Sequence, residues 1–391
     1  MNISQKKLLK AYINDAYGTA VSLRRAIHAD PEVSGNEIRT ASLIYNRLSE
    51  LGLKPRYLLG KTAVLAYIKN GTGPLLALRA DTDALPIQEE TGLPFCSKNP
   101  GIMHACGHDI HTAALLGAAE VLIRSKQMWS GSVLLVFQPC EETEPGGAYS
   151  LLRNGSVPEN TDAIFGLHVS TAHRSGYVGI KEGVDYSGTM AFDVVVKGKG
   201  GHGAYPETTV DPIVCSSFMI TELQTLVSRE SSPLSPTVVS VGTIHSGTLR
   251  NIIPDTASFQ GTIRCHSKQG LEKIASRIDS MLKATAQSFR ASIEISFNKA
   301  YPPTNNNSGL VNKFTNAFDK KNIIVRPEPT MIAEDFGFYQ EKFPGLYIHL
   351  GVAKDSKACA GIHTSKFNPD ESSLKTGIMA HCAFVIGMTT E

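Results

Sequence analysis

The sequence predicts an α/β protein: a mixed, parallel-rich sheet with helices on both faces, interrupted by a smaller inserted domain. Three observations lead there. Apolar strands and amphipathic helices alternate from the start to residue 182. The strands are near-continuous apolar runs, as in strands buried on both faces. From about residue 183 the rhythm changes to one richer in strands, and a strand and helix of the first kind return near the end. A chain of 391 residues exceeds one ordinary core, so two domains are expected.

The first helix places Leu8, Leu9, Tyr12, Ile13, Ala16, Leu23 and Ile27 roughly on one face and stops at Asp30-Pro31. A second carries Ile38, Ala41, Tyr45, Leu48 and Leu51 and ends at Gly52. "TAVLAYI" (62–68) and "PLLALRA" (74–80) read as strands, and "TAALLGAAEVLIR" (112–124) as a helix. "GSVLLVFQ" (131–138) is a strand, "GGAYSLLRNG" (146–155) a short helix, and "DAIFGLH" (162–168) another strand. Next come strand 187–197, helix 210–229, strands 236–246 and 255–265, helix 267–290 and strand 292–298. That order, βαββαβ, is the ferredoxin-like unit and can fold by itself. "LYIHLGV" (346–352) and the helix 370–388 resume the first domain, and "YPPTNNNSG" (301–309) reads as a linker. The expected division is therefore 1–182 with 300–391, and 183–299.

Lys and Arg total 38 against 36 Asp and Glu, a net charge of +2 without a basic block. Nucleic acid and anionic membrane are thus excluded as expected partners. No apolar run approaches the ~18 residues of a spanning helix, and the first residues do not read as a signal peptide. Seven scattered cysteines fit free thiols in a reducing cytoplasm.

The segment "MHACGHDIHT" (103–112) holds three histidines, a cysteine and an aspartate. In open α/β sheets, ligands gather beyond the carboxyl ends of the strands. Asp81 and Asp83 follow one strand, Glu141 and Glu142 a second, and His168 ends a third. Cys106 and His108 precede a helix, and His363 follows the late strand. Singly, each has an ordinary explanation: a solvated acidic loop, an Asp-Pro turn, a satisfied core histidine. Together, five segments deliver metal-binding side chains to one sheet edge. A hydrolytic metal needs an open position for water, whose pKa it lowers to about 7. Adjacent glutamates suit this chemistry, one ligating while its neighbour takes the proton. Thiolate with imidazole favours zinc over magnesium or calcium and leaves manganese open.

"GKGGHG" (198–203) satisfies the G-x-G-x-x-G pattern of dinucleotide binding, and would make the protein an oxidoreductase. That fingerprint must open straight into a helix, whereas "AYPETTVDP" intervenes, with two prolines. The acidic residue about 20 positions on, Glu222, falls within a helix, so the pattern is set aside.

"RADTDALP", "MHACGHD", "QPCEE", "FGLH", "GKGGHGAYPETTVDPI", "LRNIIPDTASFQGTIR", "AEDFGFY" and "GIHTSKF" occur in order from Arg79 to Phe367. Together they resemble the aminoacylase, hippurate hydrolase and indole-acetyl-amino-acid hydrolase branch of peptidase family M20. The resemblance implies a binuclear metal amidohydrolase whose catalytic domain is interrupted by a lid, residues 183–299, that forms a homodimer. It implies Cys106, His108, Glu142, His168 and His363 as ligands of two divalent ions, zinc first, with manganese, cobalt or nickel as alternatives. Cys106 would bridge, with Glu142 and His363 completing one site and His108 and His168 the other. Glu141 would be the general base, and Asp81 would orient a metal-binding imidazole. In the lid, His202 resembles the residue that stabilises the oxyanion in the partner's site, and Asn251 the group that grips the substrate carboxylate.

Three positions depart from the family pattern. Arg79 stands where carboxypeptidases and succinyl-diaminopimelate desuccinylases have a histidine ligand, which favours the aminoacylase-type branch. Glu207 replaces an expected histidine, and Glu144-Pro145 interrupts a usual glycine run beside the base. His104 and His111 are left undecided, with a supporting place behind the metal ligands open to either. The expected activity is hydrolysis of N-acyl amino acids. The alternatives are an N-acyl-diaminopimelate deacylase or dipeptidase, and, in another class, a non-catalytic zinc-binding protein.

Overall fold

A computed structural model describes residues 3–354 and 360–389; Cys359 lies outside them. The described residues form two compact units. One runs to Asp185 and takes in Asn305–Glu328 and the chain from Phe338; the other is Tyr186–Thr304 with Pro329–Gly337. The second unit therefore closes a few residues later than the expected 299, and it draws in a further piece of chain. The cause is the strand Thr330–Ala333, which pairs with Tyr186–Lys197.

The first unit holds an eight-stranded mixed sheet. At its centre Gly131–Gln138, Leu75–Asp81, Ala163–Arg174 and Gly345–Ala353 lie side by side, all parallel. Ala63–Asn70 joins antiparallel on one side and Val178–Ile180 antiparallel on the other. Every residue of Gly345–Ala353 is buried, which explains why these strands read as unbroken apolar runs. Helices Ile3–Ala29, His108–Arg124 and Ser373–Thr389 pack on one another, and Ser308–Ala317 packs on the last of them. Leu9, Ile13, Ala16 and Ile27 of the first helix are buried as expected, but Leu8 points outward.

Two readings change. The strand expected to stop at 168 continues to Arg174, because the neighbouring strand stays paired with it, His349 opposite His168. The segment read as a linker does carry the boundary between the units, at Thr304 and Asn305, but it is not structureless: Asn305–Asn306 pairs with Gly183–Val184, and the Asn307 side chain caps the helix Ser308–Ala317 by accepting from Leu310 N at 3.1 Å. That helix and the strands Val178–Ile180, Ile323–Val325 and Thr330–Ala333 escaped the sequence reading.

The second unit contains Tyr186–Lys197, Pro212–Thr225, Thr237–Ser246, Thr256–Cys265, Lys268–Ser288 and Ser292–Phe297 in βαββαβ order. The four strands pair antiparallel in the order second, third, first, fourth. Phe192, Val196, Met219, Phe259, Ile278 and Leu282 fill the core. Asp211 caps the helix Pro212–Thr225, with Pro212 at its first position. "GKGGHG" opens no helix: it runs into the short strand Gly201–His202 and then the turn Pro206–Thr208. Among the described residues no helix is long and apolar enough to cross a membrane, and Cys96, Cys106, Cys140, Cys215, Cys265 and Cys382 are free thiols.

Candidate metal centre

The first unit brings Cys106, His108, Glu141, Glu142, His168 and His363 together. Cys106 Sγ, His108 and His168 offer ligand atoms within 4.8 Å of one another, as do Cys106, Glu142 and His363. The thiol thus belongs to two donor sets. It lies 3.3 Å from His168 Nε2 and 3.2 Å from His363 Nε2, and His363 Nε2 is 3.3 Å from Glu142 Oε1. Tetrahedral bonds of about 2.0–2.3 Å place ligand atoms about 3.3–3.8 Å apart, and these donors lie at or just inside the short end of that range, close enough together to share ions. Glu141, 7 % exposed, falls within 4.8 Å of His108 and Glu142.

Local backbone explains the Cys-Gly-His order. Gly107 has φ of +81°, and a Cβ there would meet Val169 Cγ2 at 2.7 Å. Only glycine makes this turn, which aims Cys106 and the first residue of the helix His108–Arg124 at one place. Two donor loops also use left-handed backbone without glycine: His363 has φ of +61° and Cys140, just before Glu141, has +56°. Such conformations cost free energy and persist where function holds them.

Hydrogen bonds fix which nitrogens face the centre. His168 Nδ1 donates to Val169 O at 2.8 Å, leaving Nε2 to face Cys106. His108 Nδ1 meets Asp83 Oδ1 at 3.1 Å, while its Nε2 is buried with no hydrogen-bond partner. A buried, unpartnered ring nitrogen beside a thiol and a second imidazole is the observation that fits a metal ion. The charge pattern agrees. Burial pushes the Cys106 thiol well above its usual range, and Glu142, Glu141 and Asp81 push it further, so a thiolate here calls for a cation beside it. Burial opposes charge on His108, yet Asp81 and Asp83 hold the ring up at about 10. The same carboxylates would favour a divalent ion in place of that proton. Burial, and then His111, hold His168 well below its usual range, as a neutral ligand requires.

Asp81 requires a correction in detail. It does not hydrogen-bond an expected ligand: His108 Nε2 is 3.8 Å away. Asp81 instead accepts a hydrogen bond from His111 Nδ1, while His111 Nε2 accepts from Val169 N at 2.9 Å, and Asp81 also accepts from Arg79 Nη1 at 2.6 Å. The carboxylate that orients His108 is Asp83, which also accepts from Ser34 Oγ (2.7 Å) and Glu142 N (3.0 Å). Asp83, His111 and Arg79 therefore belong to the centre, although the sequence placed Asp83 at this edge without a specific role and left His111 undecided. The D-x-D spacing was the available signal, since alternate residues at a strand end face the same way.

His202 and Asn251 lie in the second unit, both exposed. They are close neighbours there: His202 pairs with Ile252 across a short ladder, and Gly203 N donates to Asn251 O at 2.9 Å. The His202 ring accepts from Ala204 N at 3.0 Å.

The model of "Peptidase family M20/M25/M40" matches residues 77–386. "Thermostable carboxypeptidase 2" of Saccharolobus solfataricus is 38% identical over 383 residues, 97% of each chain. "IAA-amino acid hydrolase ILR1-like 4" of Arabidopsis thaliana is 38% identical over 389 residues, 97% of this chain and 88% of the relative. A crystal structure of the Bacillus subtilis YXEP protein, described as a dinuclear metal binding peptidase, is 32% identical and superposes with a TM-score of 0.82 over 96% of this chain and all of that one.

Proposed function

The chain belongs to peptidase family M20/M25/M40 and is a metal-dependent hydrolase, and from that premise we propose that it cleaves N-acyl amino acids to a carboxylate and a free amino acid. The observation that carries this reading is the pair of donor sets sharing Cys106, with Glu141 beside them. We assign Glu142 and His363 to one divalent ion, His108 and His168 to the other, and Cys106 to both. Zinc suits a thiolate–imidazole set best, with manganese, cobalt and nickel as alternatives. Ions held there would supply Lewis acidity toward an amide carbonyl and toward water.

The chain's own residues account for the rest. Glu141 takes a proton from the attacking water and returns it to the leaving amine. Asp83 keeps the His108 ring in place, and Asp81 acts one step further back, through His111. For His202 and Asn251, contacts with the oxyanion and the substrate carboxylate rest on the motifs, as does a homodimer formed through the lid.

The Arabidopsis relative's name supports an acyl amino acid substrate. The Saccharolobus relative, equally similar, supports a second reading in which a peptide loses its C-terminal residue. Acetyl-methionine, hippurate, acetyl-diaminopimelate and a dipeptide assayed side by side separate these. Glu141→Gln is the test of mechanism: kcat should fall by about 10²–10⁴ with both ions retained. Full turnover in that variant would refute the assigned base.

A further inference from the structure

The two peptide N–H groups that flank Glu141 are both held by buried carboxylates from distant segments. Glu142 N donates to Asp83 Oδ2 at 3.0 Å, and Cys140 N donates to Glu37 Oε1 at 2.9 Å. The Cys140 carbonyl is held too, by Gly147 N at 2.9 Å. Gly147 can come that close because it lacks a Cβ, which would sit 1.8 Å from Pro139 O. Between these anchors Cys140 keeps its left-handed backbone.

Glu37 ends the chain between the first two helices, and Asp83, just past the strand Leu75–Asp81, is tied to that same segment. Within that segment Ser34 Oγ donates to Asp83, and Glu32 O accepts from Ala84 N at 2.8 Å. Glu37 is fully buried at the start of the helix Ile38–Glu50, and its Oε2 has no hydrogen-bond partner. A buried carboxylate with one oxygen unsatisfied is a poor element of stability. Besides backbone N–H groups of its own segment, at Gly35 and Glu37, what it holds is the peptide that begins the turn to Glu141.

We infer that Glu37 is a positioning residue for the reaction: by accepting from Cys140 N it fixes the turn that aims Glu141. Asp83 shares this task but also holds His108, so removing it would disturb ligand and base together. Glu37 isolates the base. The inference rests on the proposed role of Glu141, and its test is built to fail separately from that role.

Glu37→Leu and Glu37→Gln are made in the full chain, loaded with metal, and read by amide hydrogen exchange across residues 139–147 and by kcat and KM. The leucine variant should exchange at Cys140 about tenfold faster or more. Its kcat should fall about tenfold or more at nearly unchanged KM, since the loss concerns the transition state, while bound metal matches wild type. Glutamine keeps an acceptor oxygen and should restore both readings. Unchanged exchange in the leucine variant, a glutamine variant as impaired as the leucine one, or kcat lost only together with metal would each overturn the inference. If wild type cleaves no acyl amino acid or peptide, the proposed activity falls, and the exchange comparison alone then decides whether Glu37 holds the turn.

Discussion

Two buried polar clusters meet at the start of the helix His108–Arg124, and adjacent residues belong to different ones. His108 faces the metal donors. Asp109 faces Arg24 (Nε at 2.7 Å) and His28 (Nδ1 at 2.8 Å), and His28 Nε2 reaches Glu89 at 3.2 Å. In the second cluster every charge has an opposite charge within hydrogen-bond reach. Burial would raise Asp109, yet Arg24 and His28 hold it well below the carboxylate range. His104, beside His28, is kept neutral because burial pushes it down to about 4. In the first cluster the carboxylates crowd a thiol and leave a ring nitrogen unpartnered. The lesson is that burial and polarity alone do not mark a working site. Nor does an unpartnered nitrogen by itself, since both ring nitrogens of His104 also lack a hydrogen-bond partner; what sets the first cluster apart is that its unpartnered nitrogen converges with a thiol and other metal-binding donors.

The sharpest way to break this contrast is to remove what the first cluster is built to hold. Chelation should abolish turnover by on the order of 10³-fold or more, since several kcal/mol of Lewis-acid stabilisation is lost. Zinc, manganese, cobalt or nickel should restore it at two ions per chain by elemental analysis. Equal turnover after exhaustive chelation would refute the contrast and the proposed chemistry together. The second cluster should behave in the opposite sense. Asp109→Ala leaves Arg24 and His28 buried without their shared partner, a change that costs about 3–5 kcal/mol. Urea unfolding should register that loss, while each molecule still folded keeps its metal. A variant of normal stability that fails to bind metal would place Asp109 in the first cluster after all.

Much of the first cluster was legible because strand ends are legible. Unbroken apolar runs marked the central strands, and Asp81, Glu141, Glu142 and His168 sat at their carboxyl side. The role of Gly107 between Cys106 and His108 came only with the structure, which shows its left-handed turn. What the sequence could not show was pairing over distance. Glu37 and Cys140 are 103 positions apart, and nothing local to either names the other. Position at the strand end did not tell Asp81 from Asp83, and the resemblance gave the orienting role to Asp81, whereas the helix places His108 against Asp83 and His111 against Asp81. Strands of three or four residues, such as Val178–Ile180 and Thr330–Ala333, are too short to show a period. The run of asparagines at 305–307 looked like a loop because its capping and pairing partners lie elsewhere in the chain.

The smallest effect sharpens the comparison most, because the two clusters should give pH slopes of opposite sign. Burial, and then Asp83, push Glu37 up to about 7 from an ordinary 4.5. Between those values the unfolded chain has released a proton that the folded metal-free protein still holds, so stability falls as pH rises and levels off above about 7. Glu37→Gln removes this cost. Its advantage over wild type should be absent below pH 4.5 and grow to at most on the order of 3 kcal/mol near pH 7. Glu89 runs the other way. Burial would raise it, but the hydrogen bond from His28 holds it down at about 2 against the same 4.5. Its contribution is complete above 4.5 and disappears as pH falls toward 2, so Glu89→Gln should be less stable than wild type at neutral pH and converge with it in acid. Denaturation midpoints of both variants and wild type, taken without metal from pH 3 to 8, give the two slopes directly. Parallel slopes would mean that the clusters do not differ in how their charges are satisfied. Loading with metal should then flatten the Glu37 curve alone, since nearby cations favour its ionised form, and leave the Glu89 curve where it was.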